Sequence, residues 1–134
     1  MSVERWTEIF ELLSMVVLAD KRVYKEEVDT FVDSVMSIKA AVNDDTLITR
    51  DLAFEWFRGH RDEILALSQR NDFDIVALKR IIGLKGFEYR KALLRAMLDV
   101  SIADDELHSA EESLISLASA HWGIKITSLG PKYQ

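Results

Sequence analysis

Apolar residues recur at helical spacing through almost the whole chain, and no segment alternates polar and apolar residues as a strand would. That periodicity restricts the chain to an all-α fold. Trp6, Ile9, Phe10, Leu13, Val16 and Val17 share one face of a first helix, predicted over 3–18, while Glu4, Glu8 and Glu11 lie on another. Val28, Phe31, Val32, Val35 and Met36 repeat the pattern in a second helix over 25–41, closed by the turn chemistry of Asn43, Asp44 and Asp45. Thr49 is placed to cap a third helix that carries Leu52, Ala53, Trp56, Phe57, His60, Ile64 and Leu65 and ends in the polar cluster 68–71. Asp72 starts a fourth, predicted to turn Ile75, Val76, Leu78, Ile81 and Ile82 inward and to bend at Gly83 and Gly86 into a fifth helix over 87–101.

The sixth helix carries the best local signals. Ser109 and Glu112 have capping-box spacing, and Gly123 followed by Ile124 has the form of a left-handed helix end with its hydrophobic contact. The expected organisation is a single-domain bundle of about six helices over 1–124 with a short tail over 125–134, and the apolar Ile124, Ile126 and Leu129 are expected to dock on the bundle. The aromatic side chains are read as core, with Trp122 partly exposed.

Composition narrows the chemistry. The 134 residues include no cysteine, so disulfides, thiolate metal sites and cysteine nucleophiles are excluded, and a cytoplasmic protein is expected. The longest N-terminal apolar stretch, 12–19, falls well short of the roughly 20 residues of a membrane span, so neither membrane insertion nor a signal peptide is expected. A net charge of −6 argues against a general nucleic-acid binder. The charge is uneven, however: between Lys79 and Arg95 the bases Lys79, Arg80, Lys85, Arg90, Lys91 and Arg95 face only Glu88, whereas 99–112 carries only acids. Lys85, Arg90, Lys91 and Arg95 are therefore candidates for binding an anionic protein partner. The alternative is a solvated helix face that complements an acidic neighbour.

An internal similarity stands out. Residues 19–27 and 103–111 share the pattern Ala-Asp-x-x-[Val/Leu]-x-x-x-Glu, and each joins two predicted helices, as in a duplicated helix–turn–helix. Asp20 and Asp104 can accept hydrogen bonds from their own turns, and Glu27 and Glu111 fall in the first turn of the next helix, where the macrodipole favours an anion. That accounts for the pattern without a ligand. The functional alternative is that Asp104, Asp105, Glu106 and Glu111, or Asp20 and Glu27, converge on a hard divalent metal ion, whose oxygen preference carboxylates satisfy.

The twin Ala-Asp turns, the capping box and the Trp122-Gly123-Ile124 helix end resemble the TerB family associated with tellurite resistance, with a similar domain in the DjlA co-chaperone. The resemblance covers most of the chain. It implies a bundle of mostly antiparallel helices in a bacterial cytoplasmic protein, metal binding on acidic residues and association with stress-response proteins. The family commonly has Gly after the Asp, where Lys21 and Asp105 stand here. Lys21 and Arg22 would repel a cation at the first turn, while Asp105 and Glu106 add carboxylates at the second, which is the favoured one. Nothing in the residues themselves encodes tellurite chemistry, since no thiol is present to capture the oxyanion.

Other chemistries fail on spacing. Neither turn places oxygen ligands as an EF-hand does, His60, His108 and His121 form no zinc or di-iron pair, and no phosphate loop or Gly-x-Ser-x-Gly elbow is present. The expected function is a non-catalytic binding module. The alternatives are a purely structural or homo-oligomerising bundle and a metal-dependent hydrolase, which would have to act without a separate general base at a defined spacing.

Overall fold

The computed structural model describes residues 2–19, 24–42, 45–102 and 109–130, and it is an all-α bundle of six helices: α1 (Val3–Ala19), α2 (Tyr24–Ala41), α3 (Arg50–Ser68), α4 (Phe73–Gly83), α5 (Arg90–Ile102) and α6 (Ser109–Trp122). A short 3-10 helix, Ile126–Leu129, follows α6. None of the described helices is long and apolar enough to cross a membrane.

The first helix is the centre of the bundle, with α2, α3, α4, α5 and α6 all packed on it. Its sequence explains why. From Leu12 to Leu18 every side chain is buried, so the helix is apolar all round over its second half, which only a central position accommodates. Ser14, buried among them, donates its hydroxyl to the Glu11 carbonyl at 2.8 Å and so leaves no orphan donor. Phe10, Phe31, Trp56 and Phe57 bring α1, α2 and α3 together through ring contacts of 4.8–5.8 Å between centroids.

Local signals set most of the helix ends. The Thr49 hydroxyl accepts from the Leu52 N–H at 3.1 Å, so the expected cap of α3 is made. Gly123 adopts φ +66°, and the Ile124 N–H donates to the Ser119 carbonyl at 3.1 Å, the long bond of a left-handed helix end. Asp72 precedes α4 as expected, but its carboxylate accepts from Arg70 at 2.7 Å instead of capping the helix.

Several expectations are corrected. The chain does not bend through Gly83–Gly86 into a helix starting at 87; it breaks, with turns over 84–89, and α5 begins at Arg90. Burial of Leu84 and Phe87 in the core pulls the chain inward there, and Arg5 donates to the exposed Gly83 carbonyl at 3.1 Å, completing the end of α4. On α4 the buried residues are Ala77 and Ile81, whereas Ile75 and Ile82 are exposed. Trp122 is buried, 4% exposed, and its indole N–H donates to the Ile81 carbonyl at 2.8 Å. The segment after α6 docks as anticipated, with Ile124 and Leu129 joining the core.

In the chain, 20–23 fall between α1 and α2 and 103–108 between α5 and α6, and each of these helix pairs packs together. Residues 20–23 and 103–108, which carry most of the repeated pattern, lie outside the described residues.

Candidate functional site

Two places carry the residues singled out by sequence, and the structure treats them differently. The first is the start of α2. Glu27 lies one turn inside the helix, where its side chain is 5% exposed and Oε1 accepts from Arg61 Nε at 2.7 Å. Arg61 comes from α3, thirty-four positions further on, and its guanidinium also lies over the Tyr24 ring at 5.3 Å. The pair thus ties α2 to α3 at the margin of the core. The hydrogen bond that Arg61 donates to Glu27, outweighing desolvation, holds the Arg61 guanidinium charged beyond its ordinary range. Glu27 therefore has an intramolecular counter-ion that the sequence did not reveal. Its second oxygen, Oε2, has no hydrogen-bond partner among the described residues.

The other candidate metal ligands, Asp20, Asp104, Asp105 and Glu106, lie outside the described residues. Glu111 falls in the first turn of α6, as the sequence predicted. Among the described residues no three His, Asp or Glu side chains form a group that could hold a metal ion.

The second place is the basic face. Of the four candidate partner-binding residues, Lys85 and Lys91 are exposed, while Arg90 and Arg95 are half-buried. Arg90 donates through Nε to the Trp122 carbonyl and through Nη1 to the Phe87 carbonyl, both at 3.3 Å. Arg95 donates to the Leu129 carbonyl at 3.1 Å. The two arginines hold the segment that follows α6 against α5, so half of the expected outer stripe is a clamp. Their charge is not neutralised by carbonyls.

Where that segment crosses the start of α5, a groove of about 490 Å³ opens, lined by Glu88, Arg90, Lys91, Gly123, Ile124, Lys125 and Ser128. Lys125 and Ser128 were not singled out by sequence; the left-handed turn at Gly123 brings them beside Lys91. Elsewhere among the described residues the arginines are paired, though Lys25 and Lys79 are not. Arg5, Arg50, Arg58, Arg61, Arg70 and Arg80 each pair with a carboxylate within 4 Å. Among the described residues, Lys85, Arg90, Lys91, Arg95 and Lys125 have no such partner. The alternative of a solvated face with an acidic neighbour fits Arg80, which binds Glu11 of α1 at 2.6 Å, and the exposed Lys85 and Lys91 are open to solvent.

A second concavity, between α1, α3 and α4, contains His60 stacked on Trp56 at 4.2 Å between ring centroids. The charged groups Glu11, Glu63, Arg70 and Arg80 line it in equal numbers of each sign, so it has no net preference for an ion. Compared with known proteins, the chain matches no family model, no curated protein and no solved structure.

Proposed function

We propose that this chain is a non-catalytic, TerB-like binding module that docks an acidic segment of a partner protein on its basic face, in the bacterial cytoplasmic stress-response setting the resemblance implies. The observation that carries the reading is the unpaired charge around the groove. In a protein of net charge −6, most described arginines sit beside a carboxylate, yet Arg90, Lys91 and Lys125, which line the groove with Glu88, have no carboxylate within 4 Å among the described residues, and neither do Arg95 further along α5 or Lys85. Like charges gathered without counter-ions destabilise the fold that carries them, and an anionic partner relieves that cost.

The test is anisotropy of a fluorescent peptide rich in aspartate and glutamate, titrated with the full chain. Charge reversal belongs at the exposed Lys85 and Lys91, because reversing Arg90 would also release the Trp122 carbonyl. Lys85→Glu with Lys91→Glu is expected to weaken binding about tenfold or more and to flatten its salt dependence. Unchanged affinity in the double variant refutes the reading.

Divalent-cation binding at the acidic turns is the second reading, supported by the buried Oε2 of Glu27, which has no described partner, and by the carboxylates of Asp104, Asp105, Glu106 and Glu111 in the sequence. Chelator-stripped protein is expected to melt higher with one of calcium, magnesium, manganese or zinc. Ion at about 100 times its dissociation constant adds roughly 2.7 kcal/mol, a rise on the order of 10 °C for a chain of this length. Loss of that rise in Asp104→Asn or Glu111→Gln assigns the ion to the second turn; no rise with any of the four ions refutes metal binding.

A further inference from the structure

Away from the core residues of α4, the exposed Ile75 and Ile82 and the half-buried Leu78 follow one another at spacings of three and four, and Asp74 and Lys79 flank them. The side chains α4 gives to the core are the buried Ala77 and Ile81 and the half-buried Phe73 and Val76, and Ile75, Leu78 and Ile82 are not among them. Ile75 is 57% and Ile82 49% exposed. Beside them a groove of about 540 Å³ runs between Leu78 and Leu117 of α6, which widens the apolar surface beyond the helix itself.

We infer that this face is the contact with a second copy of the chain, α4 lying parallel to its symmetry mate. The spacing is that of a heptad, with Ile75 and Ile82 at a, Leu78 at d, Asp74 at g and Lys79 at e. Isoleucine at a with leucine at d favours two parallel strands. The charges select the same arrangement. In a parallel pair, g of one helix meets the e residue five positions on in the other, so Asp74 meets Lys79 of the second copy, twice by symmetry. An antiparallel pair brings g positions beside g and e positions beside e, so Asp74 would not meet Lys79 there. Neither Asp74 nor Lys79 makes an ion pair among the described residues. Because α4 is already ordered by its other face, dimerisation need not supply the cost of forming the helix. An eleven-residue helix is only about 16 Å long, so the interface belongs to the small, weak class. This surface is separate from the basic groove and stands or falls independently of it.

Sedimentation equilibrium of the full chain from about 10 μM to about 1 mM tests the inference, a range that brackets weak association. The mass is expected to rise from 15.3 kDa toward twice that value in the wild type, and to stay at 15.3 kDa in Ile75→Asp. Asp74→Lys and Lys79→Asp are each expected to weaken the dimer, and the double exchange Asp74→Lys with Lys79→Asp to restore it. Thermal melts confirm that each variant folds, and the charge exchange decides the question even if Ile75→Asp does not. A wild type that stays monomeric throughout, a dimer indifferent to Ile75→Asp, or a double exchange no better than the single ones overturns the proposal.

Discussion

Replacing Trp122 with phenylalanine separates the tertiary structure from the reading of the sequence alone. The indole N–H donates to the Ile81 carbonyl at 2.8 Å, and the side chain is 4% exposed. Phenylalanine removes that hydrogen bond, worth about 1 kcal/mol net. The Ile81 carbonyl is not orphaned, because it still accepts from the Leu84 N–H at 3.1 Å, so no larger desolvation penalty is added. Loss of ring contacts in a site that cannot fully collapse adds about 1–1.5 kcal/mol, below the roughly 3–5 kcal/mol of complete truncation to alanine. The total is about 2–2.5 kcal/mol. With an unfolding entropy of about 2.1 cal/mol/K per residue, 134 residues lose about 3.6 °C per kcal/mol, so the midpoint should fall by about 8 °C. Far-UV circular dichroism melts of the two proteins measure it directly. A partly exposed Trp122 would place the change within about 0.5 kcal/mol, or 2 °C. A fall that small refutes the buried indole and its role in joining α6 to α4.

The Glu27–Arg61 pair should respond asymmetrically. Arg61→Ala leaves a buried carboxylate without its cation and should cost about 3 kcal/mol, whereas Glu27→Gln keeps an acceptor and should cost about 1 kcal/mol; urea titrations giving the reverse order would contradict the pairing. Because the folded-state pKa of Arg61 is raised, its stabilisation is complete below the unfolded value and is lost only as pH rises through the folded one. The wild-type advantage over Arg61→Ala should therefore not fade through titration of the Arg61 guanidinium at any pH below its ordinary range, which melts at several pH values check. Two glycines should behave oppositely on substitution by alanine. Gly59 lies within α3 with open space where a Cβ would go, so Gly59→Ala should stabilise by about 0.8 kcal/mol. Gly123 has φ +66°, so Gly123→Ala should cost about 1 kcal/mol, and melts with equal signs would rule out the left-handed helix end.

Much of the fold was legible from the residues because helix formation is local. A period of 3.6, the Thr49 hydroxyl and the left-handed position at Gly123 act within a few residues of themselves, so the helix order and most ends could be read directly. The basic groups between Lys79 and Arg95 and the acidic turns were equally visible as composition. What periodicity cannot say is which of two apolar faces meets the core. On α4 that choice went to Ala77 and Ile81, because α1 and α6 pack on that side, and it left Ile75 and Ile82 outside. Nor does sequence pair charges across elements. That α3 brings Arg61 to one oxygen of Glu27, and that the chain after Gly123 folds back to give Arg90 and Arg95 carbonyls to hold, is decided by tertiary packing alone. Local chemistry sets where helices begin and end; long-range packing decides which charges meet a counter-ion and which do not.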